Sequence, residues 1–247
     1  MAGRANNIKM NKPQKYKGHV AYKDAYSSKV FLFTIQLDEP QTIEFIAGQF
    51  LSISVGNGVT RQYSIASSPS RQTTIDLLVD IGPGGPGSQF FSKLETGNQI
   101  ECIGPMGKFN LSSEEGNVVM LATGTGIAPF RSMLDHLFEK QKQFQDFSQR
   151  NIYLYLGFRY EENIFWHDYF ESKQIENPNF HYTVTLSQPT PAWTGKKGYI
   201  QNGIDTNLLT EKNTHFYICG GAKMVKGVLE FLHQNNVPEE NLHFEPF

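Results

Sequence analysis

Apolar and polar positions fall into two regimes along the chain. From Tyr16 to about Leu111 they group into short runs separated by Gly, Pro, Asn and Ser. Such a pattern predicts strands joined by turns. The runs are 17–24, 29–37, 49–55, 61–66, 74–80 and 98–103. The second, K-V-F-L-F-T-I-Q-L, is apolar with partial alternation, as a half-buried strand requires. Strands at this spacing predict a small six-stranded antiparallel β-barrel. A polar linker, Ser112-Ser113-Glu114-Glu115-Gly116, follows. Beyond it, apolar runs at 117–122, 151–158, 180–186 and 215–219 alternate with helical stretches at about 127–142, 164–174, 202–209 and 222–235. Strands alternating with helices predict an α/β domain with a mostly parallel sheet, covered on both faces. Ligands then belong at the carboxyl ends of its strands. The expected organisation is a mobile arm over 1–14, a barrel domain over 15–113 and an α/β domain over 114–247.

Composition narrows the class. Apolar residues at 39% and charged residues at 19% describe a soluble globular protein long enough for two cores. A net charge of −2 offers nothing to nucleic acid or an anionic membrane. Cys102 and Cys219 are the only two cysteines, too few for a disulfide framework, a four-thiolate zinc site or a four-cysteine iron–sulfur cluster. No metal site is expected. The basic start lacks an apolar stretch, and no run reaches ~18 apolar residues. The expectation is a cytoplasmic protein without a membrane span.

The chemistry gathers around residues 61–68, R-Q-Y-S-I-A-S-S. On a strand, Arg61, Tyr63 and Ile65 share one face, with Gln62 and Ser64 on the other. Arg61 offers a guanidinium fork to a phosphate, Tyr63 a flat surface, and Ser64 a hydroxyl for a ring edge. Taken alone, the octet also reads as an ordinary surface strand. At 82–94, G-P-G-G-P-G-S-Q-F-F-S-K-L lets backbone come close to a ligand, with Ser88 capping a helix behind it, or forms a flexible hairpin loop. T-G-T-G at 123–126 joins a strand to a helix directly, an arrangement that presents amides to a pyrophosphate. Cys219-Gly220-Gly221 repeats that logic. Cys102, among apolar neighbours, reads as an inert core thiol, and Lys108 as a solvated amine rather than a catalytic one.

The ordered set of these motifs resembles the ferredoxin–NADP+ reductase superfamily, including cytochrome b5 reductases and oxygenase reductase components. The resemblance runs from about Tyr16 to Phe247. R-Q-Y-S is similar to the family's flavin motif, G-G-P-G-S-Q to its pyrophosphate segment, G-P-M-G-K-F at 104–109 to the segment closing the barrel, and G-T-G-I-A-P-F-R-S to its nicotinamide-nucleotide turn. It implies that the barrel binds FAD through Arg61, Gln62, Tyr63, Ser64, Gly85, Gly87, Ser88 and Gln89. It implies that the α/β domain binds NAD(P)H through Thr123, Gly124, Thr125, Gly126, Ser187, Lys197, Tyr199, Cys219, Gly220 and Met224. Cys219 is then a positioning thiol beside the reacting nicotinamide, Glu245 a carboxylate near the flavin edge, and Phe247 an aromatic shield that nicotinamide displaces. Ser64, Cys219, Glu245 and Phe247 form the expected catalytic group. Where NADP-specific members carry Ser-Arg, this chain has Ser187-Gln188, which tilts the expectation slightly to NADH and leaves NADPH open. The implied activity is hydride transfer from NAD(P)H to flavin, with electrons passed to a ferredoxin, flavodoxin, cytochrome or oxygenase component. A free-flavin or ferric reductase, or a dependent subunit of a larger complex, is the alternative. A monomer is expected.

Overall fold

The computed structural model describes residues 12–112, 116–143 and 150–247. The expected arm over 1–14 falls almost wholly outside them, as do residues 113–115, where the expected domain boundary lies.

Six strands build the first sheet: β1 Gln14–Ala25, β2 Val30–Glu39, β3 Phe50–Ser54, β4 Thr60–Ser64, β5 Thr74–Asp80 and β6 Gln99–Met106. They are antiparallel, in the order β4-β3-β6-β1-β2-β5. The edge strands β4 and β5 meet through a bridge between Ile65 and Leu77 and a bond from Ala66 N to Asp76 O of 2.8 Å. The sheet therefore curls towards closure, and the expected barrel is present. Alternation in β1 buries Tyr16, Gly18 and Val20 while Lys15 and Lys17 face water. Val20, Phe33, Leu51, Ile65, Leu77 and Phe91 lie in its core. Cys102 is buried there, its thiol pushed up to about 12 by desolvation, so it stays protonated.

The second sheet contains β7 Asn117–Thr123, β8 Ile152–Phe158, β9 Phe180–Leu186, β10 Lys196–Lys197, β11 Thr214–Gly220 and β12 Leu242–Pro246. All are parallel, in the order β10-β9-β8-β7-β11-β12. Interior strand β11, paired to β7 and β12, is buried at every residue, as a strand covered on both faces must be. Among the described residues, four α-helices accompany the sheets: α1 Pro86–Lys93, α2 Ile127–Gln143, α3 His167–Glu176 and α4 Ala222–Gln234. The helical stretch expected at 202–209 is instead two 3-10 turns, Ile200–Gly203 and Thr206–Leu209. Helix α3 starts later than the expected 164, because Trp166 takes left-handed backbone with φ 58° and forces a new start at His167.

The two halves share one buried cluster. Ala47, Ala66, Leu78 and Phe109 of the barrel belong to it, together with Phe130 and Met133 of α2. Ser132 Oγ donates to Ser67 O at 2.6 Å, and Ser68 Oγ to Glu139 at 2.6 Å. Trp166 Nε1 donates to the Tyr26 hydroxyl at 2.6 Å. Continuous apolar packing with polar bonds at its margin fixes how the halves face each other.

Candidate active site between the two sheets

Strand β4 sits where the halves meet, and its two faces serve different neighbours. Ser64 looks towards the second half. Its Oγ donates to Glu245 Oε1 at 3.5 Å. Glu245 lies on β12, in register with Cys219 on β11. Ser64, Cys219 and Glu245, expected beside one ring, are thus brought together across 181 residues of sequence. Burial holds the Glu245 carboxyl above the usual carboxylate range, with the Ser64 bond acting the other way. Burial, and then the Glu245 charge, push the Cys219 thiol upward as well. A thiol so placed stays protonated and packs rather than attacks. Phe247 follows directly. Its backbone N–H donates to Gly220 O at 3.1 Å, and the residue is 65% exposed.

The opposite face of β4 meets α1. A Cβ placed on Gly87 would lie 2.2 Å from the Tyr63 hydroxyl and 3.4 Å from Arg61 Cγ. Only glycine lets the first turn of α1 come this close. The helix begins with extended Gly85 as its cap and Pro86 at its first position, and no side chain caps it. This corrects the expected cap: Ser88 is buried inside the first turn, because the Gly-Pro pair starts the helix earlier. First-turn amides have no intrahelical partner, which suits an anion. A Cβ on Gly85 would meet nothing within 4 Å, so the space in front of the turn is open. Gln89 Nε2 donates to Gly84 O at 3.0 Å and ties the loop to the helix. Desolvation pushes the Tyr63 phenol up to about 12, with Arg61 acting the other way. Tyr63 packs edge-on to Phe91 at 4.7 Å between centroids. Arg61 is exposed, with Nη1 donating to Thr60 O at 2.8 Å, and Gln62 is exposed on the other face. The residues present fit a diphosphate carried by a flat, partly shielded ring system.

A second open turn belongs to the other half. Strand β7 ends at Thr123, and Gly124–Gly126 form a 3-10 turn that runs straight into α2. Gly124 has φ +54°, and Thr125 is half-buried. A Cβ on Gly126 would lie 2.3 Å from Cys219 O, so this turn is seated on the backbone of β11. Thr123 Oγ1 and the Met224 methyl both lie against Gly220, at 2.7 and 2.3 Å from where its Cβ would stand. Thr123, Gly126, Cys219, Gly220 and Met224 are therefore one cluster at the carboxyl ends of β7 and β11.

Further along the same edge lies a pocket of about 300 Å³ lined by Arg159, Ser187, Gln188, Gly198 and Tyr199. Ser187 and Tyr199 were expected together. Lys197 is exposed in β10 and does not line this pocket. Arg159 is the residue sequence reasoning missed. It stands just past β8, and Arg159 Nε donates to Gln188 Oε1 at 3.2 Å. Parallel pairing of β8 with β9, not any local motif, brings it beside Ser187.

The Oxidoreductase FAD-binding domain family matches residues 17–111, and the Oxidoreductase NAD-binding domain family matches residues 120–230. Ferredoxin–NADP reductase B of Sorangium cellulosum is 31% identical, with 82% of this chain and 85% of the relative covered. The Phenol hydroxylase P5 protein of Acinetobacter pittii is 32% identical over 86% of this chain, which spans 60% of that relative's length. The Amycolatopsis cytochrome P450 reductase GcoB superposes with a TM-score of 0.83 at 23% identity, covering 95% of this chain and 70% of that one. Among the described residues, no helix is long and apolar enough to cross a membrane.

Proposed function

The chain belongs to the ferredoxin–NADP+ reductase superfamily as an FAD- and NAD(P)H-binding oxidoreductase, and from that premise we propose that it delivers electrons to a soluble redox protein through a centre formed by Ser64, Cys219 and Glu245. Bound FAD supplies the hydride-accepting and electron-releasing chemistry. The chain supplies binding, orientation and field. Arg61, Tyr63 and the first turn of α1, with Gly85, Gly87 and Ser88, hold the pyrophosphate of the dinucleotide. Gln89, bonded to Gly84 O, braces that cradle, whereas Gln62 lies on the far face of β4. The turn Thr123–Gly126, with Gly220 and Met224, receives the nicotinamide nucleotide.

Within the centre, Ser64 presents a rotatable hydroxyl that hydrogen-bonds at the ring edge. Glu245 Oε1 sits within reach of that hydroxyl, and its raised pKa lets the carboxyl hold a proton nearer neutrality than an exposed one. Cys219, buried and protonated, sets a distance rather than forming a bond. Phe247, bonded through its backbone N–H to Gly220 and largely exposed, covers the site and yields it to nicotinamide. The observation that carries this reading is the meeting of Ser64 from the barrel with Glu245 from the final strand, alongside Cys219.

The test is spectroscopic. The purified protein is expected to show flavin absorbance, to bleach when NAD(P)H is added anaerobically, and to regain its colour on adding an oxidised ferredoxin, flavodoxin or cytochrome. A colourless protein that gains no flavin bands on incubation with FAD would sink the reading. Recolouring by free FMN or ferric chelate, but by none of the proteins, would move the acceptor to the small-molecule class.

A further inference from the structure

The pocket at the carboxyl ends of β8 and β9 contains more than a place for a nucleotide. Read alone, neutral Gln188 beside Ser187 tilts the expectation to NADH. Its hydrogen bonds change what that amide does. Gln188 Oε1 accepts from Arg159 Nε at 3.2 Å and from the Tyr160 hydroxyl at 2.6 Å. An arginine can only donate, so the shared atom must be the amide oxygen. Among the described residues the Gln188 NH2 has no side-chain or backbone acceptor and can face a ligand, and the Arg159 guanidinium is anchored at one nitrogen with the other two unspent on that bond.

The Glu161 carboxylate, two residues beyond Arg159, turns one oxygen to Thr190. Glu161 Oε1 accepts from Thr190 N at 2.8 Å and from Thr190 Oγ1 at 2.5 Å. Glu161 Oε2 is buried without a hydrogen-bond partner among the described residues, and it is shut off from the solvent-facing pocket. The pocket lining is Arg159, Ser187, Gln188, Gly198 and Tyr199, with no carboxylate. A ribose 2′,3′-diol brings two hydroxyl donors and seeks such an acceptor. A 2′-phosphate brings only acceptors and negative charge, and seeks a guanidinium and amide or hydroxyl donors.

We infer that this pocket selects NADPH over NADH, with Arg159 binding the 2′-phosphate and Gln188 acting as the positioning residue that holds the guanidinium in place. The inference rests on the reading of the chain as an NAD(P)H oxidoreductase and names which nucleotide that site takes. Glu161 supports it by pinning the 187–193 loop through Thr190. One charge-assisted contact corresponds to about a 10- to 100-fold preference.

Two measurements on the flavin-loaded enzyme test it. Calorimetry with 2′,5′-ADP and with 5′-AMP reads the pocket without redox chemistry. The first ligand is expected to bind at least about tenfold more tightly, and equal affinities overturn the inference. Steady-state kinetics then give the ratio of kcat/KM for NADPH to that for NADH. Arg159→Leu is expected to collapse that ratio towards one, Arg159→Lys to restore part of it, and Gln188→Glu to reverse it, with the changes lying in KM. A collapse in Arg159→Leu that Lys does not partly restore, or a Gln188→Glu ratio that stays on the NADPH side, overturns it. If 2′,5′-ADP binds preferentially yet neither nucleotide reduces the flavin, the pocket assignment stands and the proposed function fails. If both nucleotides reduce the flavin equally well, the function stands and this inference fails.

Discussion

The two halves each offer an open glycine turn ahead of a helix, and they seat it differently. In the barrel, Gly87 lies against the tip of a side chain, the Tyr63 hydroxyl. In the α/β half, Gly126 lies against the main chain of a fully buried strand, at Cys219 O. A phenol can swing by a few tenths of an ångström. A strand paired on both sides, to β7 and β12, cannot. The barrel turn is therefore tuned by side chains, and the α/β turn by the sheet itself. Under the proposed function the second arrangement would also couple binding to chemistry, because the carbonyl that seats Gly126 belongs to the residue paired with Glu245.

The sharpest way to break this comparison is to add a methyl group to each turn. Gly126→Ala is expected to cost about 2–3 kcal/mol of stability, near the upper end for overpacking, since backbone must move. Nicotinamide-nucleotide binding should fall with it. Chemical denaturation and a binding titration check both. An unchanged denaturation midpoint would show that the strand yields after all.

Ser64→Ala probes the junction of the halves rather than either turn. It leaves the pyrophosphate cradle untouched, so FAD should stay bound. The rate of flavin reduction by NAD(P)H should fall by roughly 10- to 100-fold, the effect of losing one well-placed hydrogen bond at a reacting edge. Rapid-mixing absorbance measures it, and a wild-type rate would remove Ser64 from the centre. Gly87→Ala comes next. The added methyl meets the phenol, so the expected loss is about tenfold in FAD affinity with little change in unfolding. If its unfolding cost matched that of Gly126→Ala, the contrast between the two turns would be gone.

Much of this arrangement was legible in the residues, and the parts that were not have a common cause. Alternation in K-V-F-L-F-T-I-Q-L and the unbroken apolar run of β7 announced a barrel strand and a buried parallel strand. R-Q-Y-S and T-G-T-G can be picked out as candidates because each motif is local. Strand β12, L-H-F-E-P, carried no strand pattern of its own. It exists because β11 offers a free edge that its backbone can pair with, a fact about the sheet. Arg159 was silent for the same reason: its partner Gln188 lies 29 residues away and is adjacent only through β8–β9 pairing. Ser88 misled in the opposite sense. A serine before an apolar pair looks like a cap, but Gly85-Pro86 is the stronger start, since proline gives up an amide that the first turn does not use.

A smaller effect is expected from Phe247→Ser, which strips the exposed ring while keeping the backbone bond to Gly220. Nicotinamide no longer competes with the ring, so its affinity should rise by a few-fold, and a charge-transfer band should strengthen on titration. No change in either would leave Phe247 as an ordinary exposed terminus.

Glu245 gives the finest test, because its signature is a pH dependence with a defined sign. Burial raises the Glu245 carboxyl above 4.5 in the folded protein. Below 4.5 both folded and unfolded forms hold the proton, and the stability contribution is fully present. As pH rises from there through the folded-state value, the unfolded chain releases its proton first, and the contribution is lost. Glu245→Gln keeps an acceptor for Ser64 and cannot titrate. The stability of the Gln variant relative to wild type should therefore grow across that window and level off above it. All other carboxylates are common to the two proteins and cancel in the difference. Paired thermal-unfolding curves between about pH 4 and 8 would read it. A difference that is flat, or that shrinks as pH rises, would mean that Glu245 is as well solvated as a surface carboxylate. The junction of the two halves would then be wetter than its contacts with Ser64 and Cys219 require.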